Sequence, residues 1–332
     1  MSSGITRRRI AAEAGVSIAT VSRVMTGNGR VAPGTREHVR AVADRLAGAA
    51  SDRAAAPDGA VLVRCPYALT GYFGAVVSAV AETLSLHGRQ VVLSAGDAAR
   101  GSGLLHRLSC DRRTAGAVLV LPPESAAELV ALRARGFPFV VVDPRTALPP
   151  DIASVAVAHL PAARGLTAHL LGLGHRRIGV IGGPAEWLTS RSRIAGHAAA
   201  LAEAGLAHSP ELLRSIEPTA DRGYEAAREL LGLPRRPTAL AAFNDTAAVG
   251  ALRAAHERGL RVPEDLSITG FDDTDSGRST VPRLTTARQP LEEVGRLAVL
   301  LLVRLLDRRT AETPHRELAA DVLLRDSTGP VA

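Results

Sequence analysis

The chain has 332 residues and is 46% hydrophobic but only 3% aromatic, a length and composition that allow two or three domains with aliphatic cores. Its two cysteines, Cys65 and Cys110, show no CxxC or metal spacing, which excludes a disulfide scaffold and predicts free thiols in a cytoplasmic protein. No signal peptide is recognisable and no apolar run is long enough to span a bilayer, so no membrane partner is expected.

Charge is concentrated at the N-terminus. Residues 1–50 hold eight arginines and three acidic residues, a net charge of +5, whereas the other 282 residues carry only +2. All 40 basic residues are arginine, so total arginine content alone is not evidence for nucleic-acid binding. The clustering predicts a basic domain that contacts DNA phosphates.

Two short helices joined at a glycine are predicted within this basic region. Thr6 can cap a helix over residues 7–14, Gly15 can adopt the positive φ of a tight turn, and Ser17 can cap a helix over residues 18–25. An inward apolar set accompanies them: Ile10, Ala11, Ala14, Val16, Val21 and Val24. The outward face of the second helix consists of Ile18, Ala19, Thr20, Ser22 and Arg23. Such a short-chained, hydroxylated face suits DNA better than an ordinary solvated face would, and predicts a helix-turn-helix.

A third helix is predicted over residues 35–47. Residues 1–48 therefore form a small all-α domain, and residues 49–59 form a linker or hinge without large apolar residues.

From residue 60 onward, short aliphatic strands alternate with helices. This pattern predicts an α/β body, residues 60–332, with doubly wound parallel sheets in two lobes. The first lobe is expected at about 60–158 plus 287–312, and the second at about 159–286 plus 313–330. Nine strands are predicted at 60–64, 90–95, 116–121, 139–143, 152–157, 177–181, 239–243, 266–271 and 284–288. Seven helices are predicted at 73–87, 125–135, 161–171, 191–204, 221–231, 246–258 and 291–308.

Polar and aromatic side chains follow several of these strands. Ligands of parallel α/β folds bind at the carboxyl ends of strands, so these residues are candidates for a binding site. The candidates are Tyr72, Phe73, Asp143, Arg193, Asn244 and Asp272. Guanidinium and carboxylate groups can chelate vicinal hydroxyls, which favours a sugar-like ligand. For any single Asn or Asp at such a position, a role as a helix cap is an equal alternative.

Several motifs in this order resemble the LacI/GalR family of bacterial transcriptional repressors. The most specific is Ala-Gly-Val-Ser-x-x-Thr-Val-Ser-Arg-Val at residues 14–24. The body carries Gly-x-Gly-His-Arg-Arg-Ile-Gly at 172–179, Arg-x-x-Gly at 193–196, Phe-Asn-Asp at 243–245, Gly-Ala-Leu at 250–252, Gly-Phe-Asp-Asp at 270–273 and Leu-Thr-Thr at 284–286.

The resemblance implies a helix-turn-helix domain followed by a periplasmic-binding-protein-like effector domain. It places Ile18, Ala19 and Arg23 at base-contacting positions and Thr20, Ser22, Arg30 and Thr35 at DNA-backbone contacts. The two capping residues, Thr6 and Ser17, are further candidates for contact with DNA. Arg193, Asn244 and Asp272 fall where the family holds its effector, with Tyr72 and Phe73 as the aromatic pair. The expected protein is a repressor, controlled by a small effector, that binds a near-palindromic operator as a homodimer, with a tetramer as the alternative.

The linker departs from the family pattern. It lacks the Tyr-x-Pro-Asn-x-x-Ala-x-x-Leu hinge; only residues 51–56 could form a short hinge helix, and no leucine is available as a minor-groove wedge. The predicted helix over residues 291–308 carries Leu297, Leu300, Leu301 and Leu305, and is either a dimer contact or internal core.

Two other classes of protein compete with this interpretation. A transporter's solute-binding protein would carry an export signal and no DNA-binding domain. An α/β enzyme acting on a sugar or nucleotide would be expected to show a motif such as GxGxxG, GxSxG or HExxH, and none is present. The sequence therefore predicts no catalytic residues, no cofactor and no metal.

Overall fold

A computed structural model describes residues 7–26, 31–54, 59–101, 103–108, 113–307 and 315–331. The chain divides into two compact units, Met1–Asp58 and Gly59–Ala332.

The first unit contains three described helices: α1 (Arg7–Glu13), α2 (Ile18–Thr26) and α3 (Pro33–Ala54). Gly15 lies in the turn between α1 and α2 with a φ of 63°, a conformation that costs glycine little. The Ser17 hydroxyl accepts the Thr20 amide at 3.1 Å, so Ser17 caps α2 as predicted. The predicted apolar set is buried or half-buried and packs against Val39, Val42 and Ala43 of α3.

Helix α3 extends further than the sequence predicted. The predicted linker begins at residue 49, but α3 continues to Ala54 and residues 55–58 lie outside the described part of the chain. The predicted third helix ended at residue 47, so the first part of the predicted linker or hinge, residues 49–54, is helical. Alanine is the strongest helix former and no proline interrupts the chain before residue 57, so the helix can continue there.

The second unit begins with a lobe built on a six-stranded parallel sheet, in the order β11-β5-β4-β3-β1-β2. Aliphatic side chains of this sheet are buried on both faces, as in doubly wound folds. Its strands are β1 (Ala60–Cys65), β2 (Val91–Ala95), β3 (Thr114–Val120), β4 (Phe139–Val142), β5 (Ser154–Val157) and β11 (His315–Leu318). Its helices are α4 (Gly71–Leu86), α5 (Leu104–Leu108), α6 (Ala126–Ala134) and α12 (Leu291–Leu306), with a 3-10 turn at Asp97–Arg100.

A second lobe is built on a four-stranded parallel sheet in the order β7-β6-β8-β9. Its strands are β6 (Ile178–Gly182), β7 (Leu213–Ser215), β8 (Ala239–Ala242) and β9 (Ser267–Thr269). Its helices are α7 (His159–Gly172), α8 (Leu188–Glu203), α9 (Ala220–Leu231), α10 (Asp245–Glu257) and α11 (Asp275–Arg278), with a 3-10 turn at Pro210–Leu212. The predicted two-lobed α/β body is confirmed.

Segments near the C-terminus cross between the lobes. Strands β10 (Thr286–Arg288) and β12 (Asp321–Leu323) form a separate antiparallel pair. The sequence assigned residues 313–330 to the second lobe, and this is wrong for β11, which pairs with β5 of the first lobe from His315 to Leu318. β11 is short, mostly polar and exposed, because it lies at the edge of the sheet, so it shows no aliphatic strand signal.

Helix α12 is a core helix of the first lobe. Leu301 is 4% exposed, and the half-buried Leu297 and Leu305 pack against the same core. A dimer contact at this helix stays a prediction. No helix among the described residues is both long and apolar enough to cross a membrane.

Candidate DNA-binding surface and effector cleft

The predicted DNA-facing residues of α2 lie on the surface of the first unit. Ile18 is 50% exposed, and Ala19 and Arg23 are also exposed. Single exposed apolar side chains are common on protein surfaces, so the exposure of Ile18 permits contact with a partner but does not require one. The geometry therefore leaves Ile18, Ala19 and Arg23 free to contact another molecule.

The other predicted DNA contacts divide into three groups. Ser17 and Thr20 hydroxyls are hydrogen-bonded to each other at 2.9 Å, so both belong to the cap of α2 as well as to its surface. Ser22 and Thr35 are half-buried. Thr6 and Arg30 lie outside the described residues.

In the second unit, one cleft brings together all six predicted effector residues. Tyr72 and Phe73 come from α4, Asp143 follows β4, Arg193 lies on α8, Asn244 caps α10, and Asp272 follows β9. The cleft thus lies between the two lobes, at the carboxyl ends of strands in both sheets, where α/β folds bind ligands. Arg191, which also stood at the predicted start of a helix, is exposed and is not among the cleft-lining residues.

Arg193 is the central cation of the cleft. Its guanidinium lies between two aromatic rings, 3.7 Å from the Phe271 centroid and 4.4 Å from the Phe243 centroid. Nη1 donates to the Phe243 carbonyl, and Nη2 lies 3.5 Å from Asp272 Oδ1 and 3.4 Å from His159 Nδ1. The aromatic faces and acceptors together hold a charged group away from bulk water.

Asp143 receives hydrogen bonds from several sides. The Tyr72 hydroxyl donates to Oδ2 at 2.6 Å, the Val157 amide donates to Oδ1 at 3.3 Å, and His159 Nε2 lies 3.4 Å from Oδ1. Burial opposes ionisation, but His159, Tyr72 and the nearby Arg193 outweigh it and lower the pKa of Asp143. Asp143 therefore stays an anion, with its oxygens available as acceptors.

Asp272 is held differently. Its Oδ1 accepts from Gln289 at 2.6 Å, and its backbone has a φ of 108°, a strained value for a residue with a side chain. Burial raises the pKa of Asp272 to about 7, and the opposing effect of Arg193 does not overcome it because Asp245 and Asp143 add further repulsion. Near neutral pH this carboxyl can either donate or accept a hydrogen bond.

Neighbours of the predicted residues have structural roles. The Asn244 side chain accepts the Ala247 amide at 2.9 Å, so Asn244 is both a cleft residue and a helix cap. Asp245 is buried and accepts from Thr274 and Thr286. Asp273 is fully buried and pairs with Arg288 and Arg325 at 2.7 and 2.6 Å. It therefore links the end of β10 to the segment after β12 and does not contribute to the cleft.

Further cleft residues were not predicted from the sequence. Trp187, the single tryptophan, lies edge-on to Tyr67 and Phe243 with centroids 5.7 and 6.2 Å away. The Leu188 amide donates to the Arg145 carbonyl at 2.8 Å, which joins the two lobes beside this cluster. His159, which contacts Arg193 and Asp143, was not predicted either. Its position shortly after β5 is the one sequence signal that could have marked it as a candidate. Trp187 lies in a loop with no periodic signal.

The charges of the cleft favour a neutral ligand. The ionised Asp143 balances Arg193, and Asp272 adds partial negative charge near neutral pH, so the cleft offers no excess positive charge to an anion, while hydroxyl groups can bond to both carboxyl groups and to the guanidinium. The described residues contain no group of three or more side chains suited to hold a metal ion.

Comparisons with known proteins agree with this arrangement. The family described as "Bacterial regulatory proteins, lacI family" matches residues 8–47, and "Periplasmic binding protein-like domain" matches residues 167–328. The HTH-type transcriptional repressor CytR of Escherichia coli (strain K12) is 31% identical, over 97% of this chain and 96% of that protein.

Solved structures match the whole chain as well. The transcriptional regulator CelR in complex with cellobiose is 29% identical with a TM-score of 0.73, covering 98% of this chain and 100% of that one. The Lac repressor dimer, bound to operator and the anti-inducer ONPF, is 27% identical with a TM-score of 0.73 and the same coverage. Proteins of this family regulate transcription and are not enzymes. With a helix-turn-helix, a two-lobed body and a relative of this identity over nearly its full length, the chain belongs to the lacI family of bacterial transcriptional regulators.

Proposed function

We propose that this regulator binds a near-palindromic operator as a homodimer, acts there as a repressor in the cytoplasm, and is controlled by a neutral polyhydroxyl effector bound in the cleft. The observation that carries the proposal is the pairing of one arginine with two buried carboxylates between the lobes. The effector closes the lobes on itself and so changes the geometry that the dimer presents to DNA.

For DNA recognition, Arg23 is the residue that reads a base. Its guanidinium can bond bidentately to guanine O6 and N7, while Ile18 and Ala19 contact thymine methyl groups. Thr6, Ser17, Thr20, Ser22, Arg30 and Thr35 contact the DNA backbone and set the position of α2 in the groove.

Replacing Arg23 by alanine tests this assignment. Arg23→Ala is expected to weaken operator binding by about 1–3 kcal/mol and to relax specificity at one base pair per half-site. Arg40→Ala, on exposed surface of α3, is the matched control with the same loss of charge. Binding is measured on the selected operator and on operators with single base changes. Equal weakening on every sequence would make Arg23 a phosphate contact.

The effector assignment is tested on the full chain by thermal shift against glucose, cellobiose, ribose and their phosphorylated counterparts. A neutral sugar at about 100 times its Kd should stabilise the protein by about 2.7 kcal/mol, and its phosphate should do so less. Arg193→Ala should abolish the response without changing operator affinity. Arg191→Ala, two residues away on the same helix and exposed, should leave the response intact. Preference for the phosphorylated sugars, or equal responses of the two variants, would contradict the proposal.

The dimer is assigned to an apolar groove on the second lobe. Val281 is 97% exposed and borders a groove of about 590 Å³ together with Val249, Leu252, Val262 and Pro282. A second copy of the chain would cover these side chains through a symmetric contact. We assign the dimer contact to this groove and not to α12, because Leu297, Leu301 and Leu305 of α12 pack in or against the core of the first lobe.

A further inference from the structure

A cavity of about 40 Å³ lies in the second lobe and is lined in part by Arg193. It is lined mainly by aliphatic and aromatic side chains, and Arg193 and Phe243 border both the cavity and the cleft. A water molecule needs roughly 10–15 Å³ of such space and two or more polar partners. The cavity therefore has room for water, and its polar lining decides whether water binds there.

Two residues that line the cavity each carry a buried side-chain nitrogen without a hydrogen-bond partner among the described residues: Nε of Arg193 and Nε2 of His197. His197 is only 3% exposed. Arg193 uses its Nη atoms on Phe243, His159 and Asp272, and the flanking rings offer Nε no acceptor. A buried polar atom without a hydrogen-bond partner is unfavourable, so a single bridging group that bonds to both atoms would stabilise the site.

The hydrogen bonds of Thr167 fix which nitrogen of His197 carries the proton. The Thr167 hydroxyl donates its single hydrogen to the Ala163 carbonyl at 2.9 Å, and His197 Nδ1 lies 3.1 Å from the same oxygen. The hydroxyl can therefore only accept from Nδ1, so Nδ1 is protonated. Burial, reinforced by His208, lowers the pKa of His197 to about 4, so near neutral pH the ring is uncharged. Its Nε2 is then a bare acceptor.

The unpartnered atoms thus form a complementary pair, one donor and one acceptor. Residues four apart lie on one face of a helix with Cβ atoms roughly 5–6 Å apart, and the later side chain leans toward the earlier one. Arg193 and His197 have this spacing on α8. We propose that a water molecule in this cavity accepts the Arg193 Nε–H and donates to His197 Nε2, which makes His197 a positioning residue for the cleft arginine.

This bridge fixes the third edge of the guanidinium, while Phe243 and His159 fix the other two. Its consequence for effector recognition depends on the function proposed above, but the bridge itself does not. The test therefore uses the full chain without any effector.

The test is NMR spectroscopy of the 15N-labelled full chain at pH 7. Long-range 1H–15N correlation should show His197 protonated at Nδ1 only, and the Arg193 Nε–H should give a cross-peak with bound water. His197→Phe keeps the ring shape and removes the acceptor, and should speed exchange of the Arg193 Nε–H at least about tenfold. His197→Gln restores an acceptor and should stay within about threefold of the parent.

Arg214 supplies the internal control, because its Nε donates to Glu229 at 2.6 Å elsewhere in the lobe. Its exchange should be unchanged in both variants. A proton on Nε2 of His197, no water cross-peak, or similar Arg193 exchange in all three proteins would overturn the proposal. Faster exchange at Arg193 and Arg214 alike would show general loosening and would also overturn it. If His197→Phe fails to fold, the tautomer and the water cross-peak of the unaltered protein decide.

Discussion

At the scale of single residues, Asp272 is the group whose charge should affect stability most. Its folded-state pKa is about 7, whereas an aspartate in an unfolded chain releases its proton near pH 4. Between these values the folded state binds more protons, so the contribution of Asp272 to the free energy of unfolding falls as pH rises toward 7. Above pH 7 the buried charge remains a cost.

Asp272→Asn removes this pH dependence. At each pH, the free energy of unfolding of the parent is subtracted from that of the variant. This difference should be about 2 kcal/mol larger at pH 8 than at pH 5. Urea unfolding at the two pH values measures the difference, and pH dependence from unaltered histidines cancels in the comparison. Asp321→Asn, at an exposed position of β12, is the control and should show no such change. The same difference between variant and parent at both pH values would contradict the shift.

Sequence reasoning identified cleft residues where a side chain directly follows a strand. Asp143, Asn244 and Asp272 share that position, and parallel strands bring their ends to one edge. It could not predict that Asp273 points away while the adjacent Asp272 faces Arg193, because both residues have positive φ angles that no local pattern shows. It assigned no function to His197 and missed its place beside Arg193, because that depends on packing inside the lobe.

At the scale of secondary-structure elements, the buried aliphatic strands were the most predictable. All nine predicted strands are present, and β4, for example, is four fully buried residues of Phe and Val. The elements that were missed are short or polar. β7 has three residues, none of them buried, and β11 is mostly exposed at a sheet edge. Their pairing is decided by tertiary context rather than by hydrophobic pattern.

At the scale of the whole molecule, the sequence predicted the division into lobes and the crossings near residues 158 and 287, but it placed the last crossing before β11 instead of after it. The crossover segments after β9 return to the first lobe through α12 and β11, and only then form β12. The composition of these segments does not show which lobe each one joins, because both sheets are parallel and aliphatic. The dimer contact was not predicted uniquely either: Leu297, Leu301 and Leu305 of α12 pack against the core of the first lobe, while a groove on the second lobe is exposed.

The groove gives the last prediction, which concerns assembly. A symmetric dimer buries Val281 twice, and fully burying one valine contributes about 1.5 kcal/mol or more. Val281→Asp is therefore expected to weaken self-association of the full chain at least about a hundredfold. Sedimentation velocity measures the change in mass, and operator affinity should fall because each half-site is then bound separately.

Val130→Asp is the matched control for that substitution. Val130 is 43% exposed on α6 of the first lobe and does not border the groove, so the same change of side chain there should leave the dimer intact. An unchanged mass for the Val281 variant would remove the groove from the interface. If both variants dissociate, added negative charge separates the copies, and loss of a specific apolar contact does not. The reason is that an effect of a local contact must depend on which valine is replaced.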